Sequence, residues 1–266
     1  MTLSELMTRP HLSASSIASY LDCGLQYRFS KVDRIKPEFI PDALVFGTAI
    51  HRVLEYFHHQ RMQGEKPSIL ELSRLFEERW EQEAGNNPDI QFKEGKDYDI
   101  LLQEGKSLIA VYLSTLPENS YTVLALEEPF SFTIPGVNLP IIGAIDMIEQ
   151  DESGTIIVTD HKTSSRSYSA DEVDKNFQLT LYGMALKSNG YQGREIILRL
   201  DCLIKTKKPK FEQYYTVRSP QDESRVVKKV QVAWGGMSQG VYLPNDGSWK
   251  CPGCSFKTHC DQWFQE

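Results

Sequence analysis

The chain has 266 residues, a formal net charge of −7, 40% hydrophobic residues and 24% charged residues. These values are ordinary for a soluble globular protein, and they exclude a surface coated with basic residues, although a local basic site remains compatible with this total. No apolar run reaches the roughly 20 residues of a membrane span, and the first residues lack the basic-then-apolar order of a secretory signal. We therefore expect a cytoplasmic protein.

The first half of the chain carries helical patterns. Leu12-Ser13-Ala14-Ser15 opens a helix with Ser13 as its N-cap, and the apolar stripe of that helix leads through Cys23. The periodicity of apolar residues predicts three further amphipathic helices, at residues 43–63, 69–83 and 98–116.

The second half changes to strand patterns, broken by two helices. Strands are predicted at 121–134, in a hairpin over 141–163, and at 195–205 and 211–217; helices are predicted at 171–188 and 221–239. A loop-like, cysteine-rich tail follows. This order predicts an α/β fold with a mixed central sheet flanked by helices. We expect a single domain with a mainly helical part (1–120), a sheet core (121–220) and a C-terminal helix with the tail (221–266).

The hairpin carries two acids and a lysine. Side chains alternate between the two faces of a strand, so Asp146 shares one face with Ile142 and Ile148, while Asp160 and Lys162 share one face of the second strand. Unpaired charges on apolar strands are costly. The pattern therefore indicates that the acids converge on a divalent cation and that the ammonium group holds an anion nearby.

Five cysteines occur in the chain. Cys251, Cys254 and Cys260 have C-x2-C-x5-C spacing, and Cys23 is the candidate for a fourth ligand. Cys202 lies in an apolar strand and is expected to be a buried structural thiol. The reducing compartment disfavours disulfides. Zinc and iron–sulfur clusters both accept four thiolates, and the spacing does not separate them. Either centre would staple residue 23 to the end of the chain.

Several polar residues could join the hairpin site, each with a simpler structural explanation. His51 lies on a predicted helix and could equally be an ordinary core or surface histidine. Gln178 and Tyr182 share one helix face by i, i+4 spacing, and they could equally be the outer side chains of an amphipathic helix. Glu127 and Glu128 could add a carboxylate, although a solvated strand end is the simpler explanation for both.

One basic cluster stands out between two predicted strands. Its members are Lys205, Lys207, Lys208 and Lys210. Such a cluster could contact the phosphates of a nucleic acid, or it could be no more than a solvated hairpin tip.

These residues, taken in order, resemble the RecB-type branch of the PD-(D/E)XK nucleases, and within it the iron–sulfur exonucleases typified by the AddB nuclease domain and the CRISPR-adaptation nucleases. The resemblance covers nearly the whole chain. The matching elements are Leu12-Ser13-Ala14-Ser15 with Cys23, Gly47 to His51, Asp146, Asp160 with Lys162, Gln178 with Tyr182, and Cys251, Cys254 and Cys260. Each element alone is weak, whereas their order is highly specific.

The resemblance implies a restriction-endonuclease-like core and a metal-dependent DNA exonuclease with little sequence specificity, acting on single strands or DNA ends in DNA repair or recombination. It implies Mg²⁺ or Mn²⁺ held by His51, Asp146, Asp160 and the His161 carbonyl. Lys162 would be catalytic, helped by Gln178 and Tyr182. A [4Fe–4S] cluster would bind Cys23, Cys251, Cys254 and Cys260, closing the tail onto the N-terminal helix. A helicase or a CRISPR-adaptation integrase is the implied partner.

The sequence departs from the family pattern at two positions. Gly24 stands where relatives often have proline after the first cysteine, and His161 stands where an apolar or aromatic residue is usual. We expect the His161 side chain on the opposite sheet face, so that only its carbonyl reaches the site. Two alternatives to an enzyme remain: a non-catalytic DNA-end-binding iron–sulfur subunit of a helicase or integrase complex, and a metal-stapled structural protein without DNA affinity.

Overall fold

A computed structural model describes residues 1–117 and 121–265. The predicted boundary between the helical part and the sheet core falls at residues 118–120, outside the described residues. In the described part of the chain, no helix is both long enough and apolar enough to cross a membrane.

Helices dominate the first half and frame the second. They are α1 (Leu3–Met7), α2 (Ala14–Asp22), α3 (Gly24–Tyr27), α4 (Asp42–Met62), α5 (Ile69–Ala84), α6 (Tyr98–Thr115), α7 (Ala170–Asp174), α8 (Phe177–Leu186), α9 (Pro220–Ser238) and α10 (Lys257–Trp263). Wider helical turns extend α3 over Arg28–Val32 and α8 over Lys187–Tyr191. The four long helices α4, α5, α6 and α9 lie within one residue of their predicted ends.

The strands form one large and one very small sheet. They are β1 (Ile40–Pro41), β2 (Ile90–Gln91), β3 (Thr122–Phe132), β4 (Ile141–Gln150), β5 (Ile156–Ser164), β6 (Ile196–Ile204) and β7 (Lys210–Thr216). The large sheet has the order β3-β4-β5-β6-β7, and β1 pairs with β2. Only β5 and β6 pair in parallel within the large sheet. Parallel neighbours need a crossover connection, and α7 and α8 provide it.

Apolar packing covers the sheet on both faces. One core joins the sheet to α2, α8 and α9 through residues such as Ile17, Leu179 and Val230. The other core joins α4, α5 and α6 around Trp80 and reaches the sheet at Leu203. The predicted α/β fold, with a mixed sheet flanked by helices, is confirmed.

Three local predictions were wrong: those for Cys23, for the C-terminal tail and, as described in the next paragraph, for the crossover helix. Cys23 is not part of a continuous helix: its backbone is extended (φ −160°, ψ 108°) and separates α2 from α3. Gly24 is buried against the backbone of Leu243, where an added Cβ would lie 2.8 Å from the Leu243 nitrogen. Only glycine fits there, so Gly24 allows the backbone of Leu243 to approach closely. In addition, the tail is not only a loop, because Cys260 lies on α10.

The crossover helix predicted at 171–188 is divided into α7 and α8. The Asn176 side chain accepts a hydrogen bond from the Leu179 N–H (2.9 Å) and so caps a new helix. The Arg218 guanidinium donates to the carbonyls of Val173 (2.8 Å) and Asn176 (3.4 Å) at the break. A distant arginine thus binds both carbonyls at the break, which local periodicity could not indicate.

Candidate active site

The pairing of β4 with β5 ends next to the two candidate acidic residues, Asp146 and Asp160. Their ladder runs from Gln150 opposite Ile156 to Met147 opposite Thr159, and no pair follows in the described residues. The Asp146 carboxylate instead accepts the backbone N–H of His161 (2.7 Å). The two strands therefore diverge around a carboxylate that takes the place of the next ladder bond.

The strict alternation expected along β4 does not hold through Asp146. Ile145 and Ile148 both pack into the core formed with α8 and α9, although alternation would put them on opposite faces. The Asp146 side chain binds the edge of β5, so it does not simply stand on the Ile148 face.

Asp160 and Lys162 form an ion pair next to the split. The Lys162 ammonium lies 2.9 Å from the Asp160 carboxylate and donates to the Gln178 side-chain oxygen at 3.0 Å. Gln178 in turn donates to the Tyr182 hydroxyl at 2.6 Å. The i, i+4 pair of α8 therefore faces the site, and the simpler explanation as outer side chains of an amphipathic helix was wrong.

His51 approaches the same carboxylate from α4. Its Nδ1 lies 3.6 Å from Asp146 Oδ2, and one donor atom from each of His51, Glu127 and Asp146 lies within 4.8 Å of the others. In the part of the chain that the structure describes, no other set of three such side chains meets this condition. Asp160 is not in this set. The structure thus joins His51 and Asp146 as expected, and adds Glu127.

Glu127 directly faces Asp146 across the β3–β4 ladder. The residue pairs on either side are Leu126 with Met147 and Glu128 with Ile145. Glu127 has a left-handed backbone (φ +47°), which is unusual for a residue other than glycine and is typical of functional sites. Glu128 is exposed. The sequence indicated Glu127 only through its position on the predicted strand. The ladder register that makes Glu127 face Asp146 depends on a bulge earlier in β3, which the sequence does not reveal.

The His161 side chain departs from its prediction. The side chain is buried and stacks on the His58 ring (centroids 5.5 Å apart), on the sheet face where it was expected. However, its Nδ1 also lies 3.7 Å from Asp146 Oδ2. The prediction that only the His161 carbonyl would reach the site was therefore wrong.

The environment shifts the pKa values of the site in directions that suit cation binding. Burial lowers the pKa of His51, so its ring is neutral at pH 7. Burial raises the pKa of Asp160 to about 6, although Lys162 opposes the shift. Burial would also raise the pKa of Asp146, but its interactions with His161, above all the side-chain hydrogen bond, and with His51 outweigh burial, and the net pKa is lowered. Both aspartates are therefore ionised at neutral pH.

The four candidate cluster ligands line one pocket. Cys23, Cys251, Cys254 and Cys260 surround a cavity of about 220 Å³ with apolar neighbours that include Phe29. All four are free thiols. Burial raises the pKa values of Cys254 and Cys260, and neighbouring thiols of the set raise them further. The structure thus brings residue 23 and the tail together.

The fifth cysteine is separate. Cys202 is fully buried within β6, as predicted, and burial raises its pKa to about 12. Such a thiol is inert and structural.

The basic cluster does not form one surface. Lys205 is half-buried with its ammonium 4.5 Å from the centre of the Phe46 ring, and burial lowers its pKa. Lys210 lies 3.8 Å from the carboxylate of Glu212. Lys207 and Lys208 are exposed in the β6–β7 turn. The turn matches a solvated hairpin tip better than a phosphate-binding patch of four lysines.

Comparison with known proteins adds a family assignment. A family model described as the PD-(D/E)XK nuclease superfamily matches residues 11–261. The crystal structure of a protein named "Putative exonuclease" from Eubacterium rectale is similar over 91% of this chain and 87% of its own, with a TM-score of 0.55 and 11% sequence identity, which shows a shared fold. A structure of SSO0001 covers 98% of this chain and 92% of its own at 14% identity, but its TM-score of 0.43 supports no argument. None of the curated proteins matches.

Proposed function

This chain belongs to the PD-(D/E)XK nuclease superfamily, and we propose that it is a Mg²⁺- or Mn²⁺-dependent deoxyribonuclease that acts as an exonuclease on single-stranded DNA or DNA ends. Membership of the family makes the chain a hydrolytic nuclease. The observation that carries the finer proposal is the meeting of His51, Glu127 and Asp146 beside the Asp160–Lys162 pair. The sequence shows no base-reading element, so we expect little sequence specificity.

The donor set fits a hard divalent cation. Carboxylate oxygens are the ligands that Mg²⁺ and Mn²⁺ prefer, and Mn²⁺ also accepts an imidazole. Asp160 Oδ2 is buried 2.9 Å from the Lys162 ammonium and accepts no hydrogen bond of good geometry among the described residues, so a cation could bind it as well. We propose His51, Asp146, Asp160 and the His161 carbonyl as ligands, with Glu127 next to them. A bound cation polarises the scissile phosphate and lowers the pKa of an attacking water.

The remaining chemistry falls to the side chains around Lys162. The Asp160 charge keeps the pKa of Lys162 above its usual value despite burial, so the ammonium group is charged. Gln178 holds the ammonium group and is itself held by Tyr182. A fixed positive charge at this point would orient the water or stabilise the charge that develops on the phosphate in the transition state.

We also propose a [4Fe–4S] cluster on Cys23, Cys251, Cys254 and Cys260. The four thiols line one largely apolar pocket, which supports a shared centre. Tetrahedral zinc with bonds of about 2.3 Å would hold its sulfurs roughly 3.8 Å apart. Among the described residues, no three of these sulfurs lie within 4.8 Å of one another. The resemblance to the iron–sulfur exonucleases, more than this spacing, favours a [4Fe–4S] cluster over a single zinc ion.

The cellular setting is proposed from the family resemblance. The chain would form a single domain that works in DNA repair or recombination, beside a helicase or a CRISPR-adaptation integrase. Lys207 and Lys208 remain candidates for contacts with DNA phosphates.

The test is a cleavage time course with the purified chain on end-labelled single- and double-stranded DNA, in Mg²⁺, Mn²⁺ or chelator. We expect progressive shortening from an end, faster on single strands, in either metal and none in chelator. Binding without cleavage would favour the alternative, a non-catalytic DNA-end-binding iron–sulfur subunit. Absence of salt-dependent binding would favour a structural protein instead.

A further inference from the structure

A groove of about 900 Å³, which we call the basic groove, runs beside the start of β4. One wall is the N-terminal segment at residues 7–16, the other is residues 27–34, and Ile142 and Gly143 form part of the floor. Leu12 fixes the first wall to the strand, because its N–H donates to the Pro140 carbonyl (2.9 Å) and its carbonyl accepts the Ile142 N–H (2.8 Å).

The groove is positively charged in an acidic protein. Arg9, Lys31 and Arg34 line it together with His11, and the two arginines and the lysine are exposed. Within the described residues, no salt bridge joins any of these three cations to a carboxylate, and no aspartate or glutamate lines the groove. Three cations without local compensation, in a chain with a net charge of −7, create a local site for an anion.

Hydroxyl groups and a helix end add to this charge. Ser13, Ser15 and Ser16 line the groove at the N-terminus of α2, and Ser30 lines the opposite wall. A helix N-terminus carries a partial positive charge and favours phosphate. Cations, hydroxyls and helix N-termini together are the groups that contact the phosphates and sugars of nucleic acids.

The groove lies close to the candidate active site. Gly143 precedes Asp146 by three residues on β4, which corresponds to about 10 Å along a strand. A ligand in the groove could therefore continue into the site as one chain. The volume is too large for a single phosphate group, and the cations lie on both walls, as a chain of phosphates requires.

The second wall is firmly supported from behind. Residues 24–32 present Leu25 and Phe29 to the cysteine pocket and Tyr27, Ser30 and Lys31 to the groove. The same helical segment therefore separates the two sites. Its packing in the cysteine pocket fixes the position of the groove wall.

We propose that the basic groove binds the sugar–phosphate backbone of the single-stranded DNA whose scissile phosphate lies in the active site. This inference rests on the proposed function and adds to it the path of the strand on one side of the site. Backbone contacts of this kind do not read bases.

The test measures binding without cleavage. A fluorescent oligothymidylate of about 20 nucleotides is titrated with the full chain in chelator, followed by anisotropy between about 50 and 200 mM salt. The variant Arg9→Glu/Lys31→Glu changes both walls. Lys228→Glu/Lys229→Glu changes the net charge equally on α9, where both lysines are exposed. Arg9→Gln/Lys31→Gln is a milder version in case the double reversal fails to fold.

We expect the groove variants to bind at least about tenfold more weakly than the wild type, with a salt slope reduced by roughly 1.4, the value for two lost phosphate contacts on a single strand. The α9 variant should bind like the wild type. Equal weakening by both charge reversals, or unchanged binding and slope in the groove variants, would overturn the proposal. So would a wild type without salt-dependent binding. Because chelator prevents hydrolysis, failure of the nuclease function appears separately, as wild-type binding without cleavage in Mn²⁺.

Discussion

The Asp160 carboxylate is buried away from solvent, and the Lys162 ammonium is its counter-charge. The residue is fully buried, and its pKa rises to about 6. Its sequence position, two residues before Lys162, was enough to predict that both would share a strand face. The distances to Gln178 and Tyr182 were not predictable from spacing, because they depend on how α8 crosses the sheet. The sequence named Glu127 and Glu128 together as possible carboxylates but favoured a solvated strand end for both, since the role of Glu127 depends on ladder register.

Substitution of Lys162 should lower the rate of DNA cleavage far more than the affinity for single-stranded DNA. Lys162→Ala removes a charge aimed at the reacting phosphate, so we expect cleavage in Mn²⁺ to fall by about 10²–10³-fold. Binding of single-stranded DNA in chelator should change little. Lys207→Ala, at an exposed lysine of the β6–β7 turn, is the matched control and should keep the wild-type rate. An unchanged rate in Lys162→Ala would exclude a catalytic role.

The Glu127 carboxylate should destabilise the folded state when no cation is bound. Burial, followed by the Asp146 charge, raises its pKa from the ordinary 4.5 to about 7. The folded state therefore disfavours the ionised carboxylate, and the wild type loses stability relative to Glu127→Gln as the pH rises from 4.5 to about 7. Because the side chain is only partly buried, the difference should be of order 1 kcal/mol.

Urea unfolding in chelator checks this prediction. The amide variant should match the wild type near pH 4.5, the ordinary pKa of the side chain, and should be more stable at about pH 8. Saturating Mn²⁺ should reverse the order, because the wild type gains more from binding. A variant that is less stable than the wild type at the higher pH in chelator would argue against the strained, cation-ready carboxylate.

At the scale of elements, the sheet face toward α4 and α6 carries a buried charged group that the sequence did not reveal. The Arg199 guanidinium lies 2.7 Å from Glu149 on β4 and 2.8 Å from Asp201 on β6. All three side chains are almost completely buried. Apolar periodicity predicted β4 and β6 correctly, but it could not show which charges would face inward, because Glu149 lies on a different strand from Arg199 and Asp201.

Arg199→Met should be severely destabilising. It would leave Glu149 and Asp201 buried without their shared partner, which typically costs about 3–5 kcal/mol. Guanidinium unfolding measures the loss. Arg225→Met, at an exposed residue of α9, should change stability by no more than about 0.5 kcal/mol. Similar small effects of both substitutions would mean that the buried ion group contributes little to holding β4 and β6.

At the scale of the whole molecule, the chain closes on itself. Cys23 meets the tail cysteines in one pocket, the Asn245 side chain donates to the Asp22 carbonyl (2.8 Å), and the Thr258 N–H donates to Glu38 (2.9 Å). The cysteine spacing predicted this closure. The sequence did not predict that Gly24 would be required for the close approach of the Leu243 backbone, since Leu243 is more than 200 residues away along the chain.

The contact between Cys23 and the tail cysteines should depend on a bound iron–sulfur cluster. Anaerobically purified protein should be brown and contain about four irons per chain. Cys260→Ser should lose colour and iron and should melt at a lower temperature, because binding stabilises the folded state. Cys202→Ala leaves the pocket intact and should keep the iron content. Colourless wild-type protein that contains zinc would refute the cluster.

The cleavage rate of Asp160→Ala in Mn²⁺ tests the central claim most directly. The matched control is Asp171→Ala, which removes an exposed carboxylate from α7 whose one ion-pair partner among the described residues is Lys175 at the surface. We expect the wild type and the control to shorten end-labelled single-stranded DNA at similar rates, whereas Asp160→Ala remains folded and shows no cleavage above the chelator background. Full cleavage by folded Asp160→Ala would contradict the proposed site.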